Sequence, residues 1–176
     1  AYQRAIELDP KFAPPHNSLG NVYRNQSRYE EAIAAYQRAI ELDPKDATPH
    51  HGLGILYSQL GQLDLALAAY QEAVNLNPKD GAFQSSLVGI LRRLGREAEA
   101  LEHERIARSL ISAENEYNQA CFAAICGQTE EALQLLKTAL EKQQTSLDWA
   151  RQDPDLESLH GDDRFWALVG GRPSAG

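Results

Sequence analysis

The chain has 176 residues, of which 43% are hydrophobic and 24% are charged, as in an ordinary globular domain. The chain has 17 lysines and arginines and 25 aspartates and glutamates. The resulting net charge of −8 disfavours nucleic acid and anionic membranes as partners. There is no apolar run of the roughly 18 residues that a membrane-spanning helix needs, and two cysteines are too few for a disulfide framework. We therefore expect a cytoplasmic protein.

The first ten residues have the pattern of a helix interior. The chain has no methionine, and Tyr2, Ala5, Ile6 and Leu8 fall on one apolar face at helical spacing. We therefore expect a fragment of a longer chain. If the chain is built of helical hairpin repeats, residues 1–10 are the second helix of a truncated repeat. The apolar face left without its hairpin partner suggests a surface for homo-oligomerisation.

An eleven-residue sequence recurs at a fixed interval. Residues 1–11 and 35–45 both read AYQRAIELDPK, and residues 69–79 read AYQEAVNLNPK, so the offset is 34 residues. A constant period in this range is typical of stacked supersecondary units. Apolar residues recur at helical spacing within each unit, and a proline such as Pro44 ends its second helix. Each unit is thus predicted to be a helical hairpin that buries its apolar faces by stacking on its neighbours.

The recurring residues form a specific pattern. They are Leu19, Gly20, Tyr23, Ala32, Tyr36, Ala39 and Pro44 in one repeat, and Leu53, Gly54, Tyr57, Gly61, Ala66, Tyr70, Ala73 and Pro78 in the next. This pattern resembles the tetratricopeptide repeat (TPR) family, although His16 and His50 stand where the family usually has tryptophan. The resemblance implies an all-α fold, a right-handed superhelical solenoid of antiparallel helix-turn-helix repeats with C-terminal capping helices.

The repeat frame divides the chain into an array, a cap and a tail. The predicted array is 1–144, with repeats at 13–46, 47–80 and 81–114 and a degenerate repeat at 115–144; a helical cap follows at 145–169 and a disordered tail at 170–176. In the third repeat, Val88 replaces the small residue and Glu104 replaces the aromatic one. The cap resembles the tails that close bacterial TPR arrays. Its apolar residues are expected to cover the last hairpin, and they are Leu156, Leu159, Phe165, Trp166 and Leu168.

The sequence contains no recognisable catalytic or metal-binding pattern. Cys121 and Cys126 lie about 140° apart on a helix, which favours two small core residues over a shared metal or a disulfide. His16 and His50 occupy a packing position, and a third metal ligand is not evident. A nucleophile elbow, a glycine-rich phosphate loop and an HExxH motif are also missing from the sequence. We therefore predict a protein that is not an enzyme and that uses no metal or cofactor.

The first helix of each hairpin is expected to line the concave side of the solenoid. Its residues that do not pack within the hairpin are predicted to bind the partner, and they are Asn17, Asn21, Arg24, Asn25, His51, Ile55, Ser58, Gln59, Ser85, Arg92 and Arg93. Amides can pair with the backbone of an extended peptide, and arginines suit carboxylates, which suggests an acidic segment in the partner. Alternatively, Arg92 and Arg93 complement the dipole at the end of their helix.

Asn21 also matches an asparagine of the clamp with which some TPR domains bind a C-terminal carboxylate. The rest of that clamp is different here. Asn17, Gly52, Ala82 and Ser86 stand where the clamp has lysine, asparagine, lysine and arginine. The resemblance therefore does not extend to a receptor for chaperone tails.

The sequence favours a non-catalytic protein–protein interaction module that binds a peptide or protein segment in the concave groove. Two alternatives stay open. The array can act as a self-associating assembly scaffold, or it can be the recruiting or regulatory part of a larger bacterial multidomain enzyme or signalling protein.

Overall fold

The computed structural model describes residue 9 and residues 12–172, so the predicted helix at 1–10, apart from Asp9, and residues 173–176 of the predicted tail lie outside the described residues. Within the described part, the chain forms helices and turns without a β-strand, which confirms the all-α prediction. None of these helices combines the length and the apolar character needed to cross a bilayer. The chain divides into two compact units, Ala1–Pro78 and Lys79–Gly176.

The first unit contains two helical hairpins in its described residues. They are formed by α1 (Ala13–Asn25) with α2 (Tyr29–Leu42), and by α3 (Thr48–Gln59) with α4 (Leu63–Leu76). Helix α3 packs against both α1 and α2, so the second hairpin stacks on the first. Ala32, Tyr36, Leu53 and Leu56 are the buried residues of a core cluster at this junction.

The second unit contains two further hairpins and a cap. Its α-helices are α5 (Gly81–Arg93), α6 (Glu97–Leu110), α7 (Glu116–Ile125), α8 (Thr129–Glu141), α9 (Leu147–Gln152) and α10 (Asp163–Leu168), with 3-10 helices at Ile111–Ala113 and Pro154–Leu159. Helix α7 packs against α5, α8 and the 3-10 helix Pro154–Leu159. With 10 residues it is shorter than α1, α3 and α5, which have 12 or 13.

The turn inside each hairpin requires a residue in the left-handed region. Gly61, Gly95 and Gly127 have φ angles of 70°, 72° and 73°, and Ser27 has a φ of 58° at the equivalent turn of the first hairpin. The amide that follows this residue closes the first helix, as where Gln62 N donates to the carbonyl five residues earlier at 2.9 Å. Glycine suits this position because a Cβ in the left-handed region crowds the backbone.

Ser27→Gly is expected to raise the free energy of unfolding by about 0.5–1 kcal/mol. The substitution removes left-handed strain, and the greater freedom of glycine in the unfolded chain offsets part of this gain. The reciprocal change, Gly61→Ser, should lower stability by a similar amount. Urea denaturation measures both differences. Equal midpoints for the wild type and the two variants would show that the turn residue does not limit stability.

Two tyrosines of the second helices fill the space beside glycines of the first helices. Tyr36 is fully buried, and a Cβ added to Gly20 or Gly52 would come within 2.5 or 2.6 Å of its ring. Tyr70 is placed in the same way, with a Cβ on Gly54 at 2.5 Å from its ring. The repeat pattern therefore needs glycine at these positions, because a tyrosine ring of another helix occupies the space that a larger side chain would fill.

The later hairpins fill the same space with other residues. Glu104 stands at the tyrosine position of the third hairpin, and Val88, at the glycine position, is fully buried. In the fourth hairpin Leu136 and Ala120 occupy these positions, and both are fully buried. Where the aromatic ring is absent, the residue opposite is thus larger than glycine, which keeps the interior filled.

The cap completes the core of the fourth hairpin. Leu156, Leu159 and Phe165 are buried in one cluster with residues of α7 and α8, and Trp166 and Leu168 pack against this cluster while partly exposed. These are the five residues that the sequence assigned to the cap. Hairpin and cap therefore share one hydrophobic core.

The residues that follow α10 are in contact with the cap. Gly171 N donates a hydrogen bond to the carbonyl of Trp166 at 2.7 Å, and Arg172 pairs with Asp163 at 2.8 Å. Arg172 also lies over the ring of Trp166, 5.9 Å from its centroid. The described part of the predicted disordered tail is thus held by specific contacts.

Candidate partner-binding site

Six of the predicted binding residues line α1 and α3 in the first unit and are at least partly exposed. They are Asn17, Asn21, Asn25, His51, Ile55 and Gln59, and we call them the α1/α3 row. The row consists of four amides, one imidazole and one apolar side chain. It offers hydrogen bonds and one hydrophobic contact rather than charge.

Asn21 is held in place by the tyrosine that separates the two hairpins. The hydroxyl of Tyr36 donates a hydrogen bond to Oδ1 of Asn21 at 2.7 Å, so the amide nitrogen is the group that Asn21 can offer to a partner. One turn earlier, Nδ2 of Asn17 donates to Oγ1 of Thr48 at 3.2 Å. These two bonds fix the orientation of both amides on the row.

His51 contributes a neutral ring to the row. Burial, together with the positive charge of Arg24, lowers the pKa of His51 to about 3. The imidazole lies 5.5 Å from the ring of Tyr70, measured between centroids. At neutral pH this histidine is therefore uncharged and adds no cation to the row.

Three of the predicted binding residues are buried, which corrects the prediction for them. Arg24, Ser58 and Ser85 are 8%, 5% and 2% exposed. The repeat pattern identifies the side of a first helix that packs within its own hairpin, but first helices also pack against one another, as α1 does on α3 and α5 does on α7. These side chains are consequently not accessible to a partner.

Arg92 and Arg93 contact groups of their own unit and are partly exposed, so their role in binding a partner stays a prediction. Arg92 donates to the carbonyl oxygen of Ile125 at 2.9 Å and to Glu104 at 2.5 Å. Arg93 lies 3.6 Å from a carboxylate oxygen of Glu157. Both arginines thus have carboxylate partners within this chain, and an acidic segment in a partner stays a prediction.

Residues 153–159, here called the cap segment, lie across the first helices of the second unit. Ser86 Oγ donates to Asp155 Oδ2 at 3.1 Å, and Ser158 Oγ donates to the carbonyl of Ala124 at 3.0 Å. A Cβ added to Gly89 would lie 3.4 Å from Asp155 Oδ1. The cap segment therefore covers the middle of α5 and the end of α7.

The surface under the cap segment corresponds to the α1/α3 row in the repeat frame. Gly89 follows Ile55 by 34 residues, and Cys121 stands at the position of Asn21 in the fourth hairpin. Asp153 lies beside Cys121, with 3.9 Å between the thiol sulfur and a carboxylate oxygen. The second unit thus holds a segment of its own chain where the first unit has the row.

The cap segment also forms a polar cluster that the sequence analysis missed. Cys121, Asp153 and Asp155 bring three groups of metal-ligating type within 4.8 Å of one another. Asp153 already accepts a hydrogen bond from the hydroxyl of Tyr117 at 2.6 Å and caps the amide of Asp155 at 3.0 Å. Burial raises the pKa of the Cys121 thiol well above its usual value, so the thiol is protonated. Hydrogen bonds that hold the cap account for this cluster.

The stability of the cap is expected to depend on the charge of Asp155. Burial and the neighbouring charge of Asp153 raise the pKa of Asp155 from 3.8 to about 7. Between these values the folded state binds the proton more tightly than the unfolded state does, so the free energy of unfolding falls as the pH rises from about 4 to 7.

Asp155→Asn keeps an acceptor for Ser86 without the charge. The wild type loses stability as the pH rises from 4 to 8, and the variant has no carboxyl group here to titrate. We therefore expect the free energy of unfolding of the variant, relative to that of the wild type, to rise by about 1 kcal/mol or more over this range, since each unit of raised pKa corresponds to about 1.4 kcal/mol. Thermal unfolding of both proteins at the two pH values measures this gain. A difference between the proteins that is the same at pH 4 and pH 8 would contradict the raised pKa.

Family models match the repeats of this chain, and solved structures match its fold. A family model described as TPR repeat matches residues 20–61, and two described as tetratricopeptide repeat match residues 1–34 and 47–80. The solved structure of YrrB, a TPR protein with an unusual peptide-binding site, is similar with 23% identity and a TM-score of 0.60, over 96% of this chain and 92% of that chain. A structure of MamA is similar with 23% identity and a TM-score of 0.57, over 82% of this chain and 85% of that chain. No curated protein matches the sequence.

The family matches agree with the internal evidence. They cover the part of the chain in which the 34-residue period is strictest, and in which tyrosine rings lie against glycines of the first helices. The similar structures extend the agreement in fold to the second unit, where the period is weaker. Residues 1–80 therefore match tetratricopeptide repeats, and the fold of the chain is similar to that of TPR proteins.

Proposed function

We propose that this protein is a non-catalytic protein–protein interaction module and that an extended segment of its partner binds on the α1/α3 row. Stacked first helices of helical repeats form long surfaces that suit such segments. The description of YrrB as a TPR protein with a peptide-binding site supports the same use of the fold. The proposal assigns binding to the first unit.

The chemistry of the α1/α3 row matches a peptide backbone. Asn21 offers an oriented amide donor, and Asn25 is exposed and offers both a donor and an acceptor. Oδ1 of Asn17 is shielded from solvent and has no hydrogen-bond partner among the described residues, so a backbone N–H of a bound segment would satisfy it. Ile55 provides an apolar contact among these amides. A segment with one apolar side chain is the ligand that this arrangement fits.

The observation that carries the proposal is the cap segment on the second unit. This short stretch of chain lies outside the repeats and is bound across first helices. Its Asp155 accepts a hydrogen bond from Ser86, and its Leu156 is fully buried. The same positions in the first unit carry no such segment among the described residues. The cap segment lies across the first helices α5 and α7 of the second unit. We infer that a segment of a partner lies in the same way across α1 and α3, on the α1/α3 row.

Selection of displayed peptides against the purified protein tests the proposal. Peptides selected by the wild type are expected to bind Ile55→Asp at least tenfold more weakly, about 1.4 kcal/mol, because a carboxylate replaces the apolar contact. Ile106→Asp, which alters a partly exposed isoleucine of α6, is the matched control and should bind as the wild type does. Both variants must first retain the helical circular dichroism of the wild type. Selected peptides that bind Ile55→Asp and the wild type equally would refute the assignment to the row.

A further inference from the structure

The outer face of α6 exposes an apolar residue at a position that other hairpins cover. Leu101 is 55% exposed, whereas its repeat equivalents Leu67 and Leu133 are 8% and 7% exposed. Ile33, at the same position in α2, packs against the core of the first unit. Helix α6 therefore carries a packing residue that its own unit leaves uncovered.

The position of the fourth hairpin explains this exposure. Helix α7 packs along α5, and its Phe122 lies in one cluster with Ala107, near the C-terminal end of α6, and Ile111 of the following 3-10 helix. In the first unit, by contrast, α3 packs along α2. The outer face of α6 is left with a depression of about 410 Å³, lined by Leu101, Glu104, Arg105, Arg108 and Ser109.

The depression is cationic although the chain has a net charge of −8. Arg105 is exposed and forms no ion pair with any described residue. Arg108 shares the carboxylate of Glu104 with Arg92, and its side chain is 54% exposed. Two arginines, one carboxylate and one leucine thus line the depression. An apolar side chain flanked by carboxylates is the complementary ligand.

A face with this chemistry is present on α4 of the same chain. Leu65 is 51% exposed. Ala68 and Glu72 follow Leu65 at helical spacing, Asp64 precedes it directly, and all three are exposed. Within the described part of the chain, neither Asp64 nor Glu72 forms an ion pair. Both carboxylates are therefore available to cations of another molecule.

We propose that α4 of one copy docks on α6 of a second copy. Leu65 packs against Leu101, and the carboxylates beside Leu65 pair with Arg105 and Arg108. The two faces differ, so the contact is heterologous and each pair keeps one free face of each kind, which extends the assembly into a chain or closes it into a ring. Ion pairs at an exposed contact of this size make the association weak and sensitive to salt. The contact involves neither the α1/α3 row nor residues 1–10.

Sedimentation velocity at a series of protein concentrations tests this contact. At low salt, the average mass of the wild type is expected to rise with concentration above that of one chain. Arg105→Glu and the double variant Asp64→Lys/Glu72→Lys should each stay near the mass of one chain, because docking then brings like charges together. An equimolar mixture of the two should associate again, since the unaltered α4 of one variant matches the unaltered α6 of the other.

Lys137→Glu provides the matched control. Lys137 is exposed and stands on α8 at the repeat position of Arg105, so its reversal should leave association as in the wild type. A wild type that remains one chain at every concentration would overturn the proposal. So would reversed variants that associate as the wild type does, because the contact would then lie on another surface. All variants are compared after their helical circular dichroism has been matched.

Discussion

Gly20→Ala is expected to lower the free energy of unfolding by about 1–3 kcal/mol, although alanine is the better helix former. The added Cβ would lie 2.5 Å from Cε1 of Tyr36, far inside the contact distance of two carbon atoms. The ring also lies against Gly52 on the other hairpin, and its hydroxyl is bonded to Asn21. The ring is confined on both of these sides. The structure must therefore separate the two hairpins or distort the tyrosine.

Urea denaturation of a double-mutant cycle isolates this clash. Tyr36→Leu removes the ring, and in that background Gly20→Ala should cost little, because the fourth hairpin itself combines Ala120 with Leu136. Gly89→Ala is the matched control on α5, where the nearest atom to the new Cβ is the flexible end of Ile125 at 3.3 Å. Its stability should change by less than about 1 kcal/mol. An unchanged midpoint for Gly20→Ala in the wild-type background would disprove the clash.

Leu156→Ala is expected to lower the free energy of unfolding by about 2–5 kcal/mol, the usual cost of truncating a fully buried leucine. Leu156 joins the cap segment to the core that α7 and α8 share with the cap. Its loss leaves a cavity beneath the hydrogen bonds of Asp153 and Asp155. The cap is therefore expected to open before the hairpins unfold.

Two measurements separate opening of the cap from a general loss of stability. Denaturation gives the total loss, and Leu147→Ala, which truncates an exposed leucine of α9, should change stability by less than about 0.5 kcal/mol. The rate of thiol labelling reports the cap itself, since Cys121 is buried beside Asp153 while Cys126 is partly exposed. Labelling of Cys121 should accelerate in Leu156→Ala more than labelling of Cys126. Equal acceleration at both thiols would mean that the whole unit opens together.

The third hairpin shows how one substitution in the repeat pattern changes the surface. Glu104 stands where the first two second helices have tyrosine, and Val88 fills the space beside it. The carboxylate then binds Arg92 and Arg108. Arg92, which the sequence placed in the groove, is directed to this carboxylate instead. The exchange of a ring for a charge thus brings Arg92 of α5 and Arg108 of α6 together on one carboxylate.

The hairpins were predictable because their signals are local or repeat at a fixed interval. Gly20 and Tyr36 recur together as Gly54 and Tyr70, and the turns recur as residues in the left-handed region. The cap was also predictable as a hydrophobic cover, since Leu156 and Phe165 follow the last repeat without continuing its pattern. Contacts within a hairpin can be predicted from the spacing of residues, because equivalent helices meet in every unit.

The binding surface stays a prediction. The repeat frame selected the first helices, and the residues of the α1/α3 row are at least partly exposed there. It did not reveal that Arg24, Ser58 and Ser85 are buried, because burial between successive first helices depends on how closely the hairpins approach.

By itself, then, the sequence determined the all-α hairpin repeats, their turns and the family to which they belong. Tertiary structure alone decided which polar residues stay accessible and which are bound within the chain. The reason is the range of the contacts. Ser86 lies in a repeat and Asp155 lies 69 residues later in the cap, which does not repeat. The 34-residue period therefore does not relate them. Such a contact forms when the folded hairpins bring two unrelated segments together, and it leaves no pattern in the sequence.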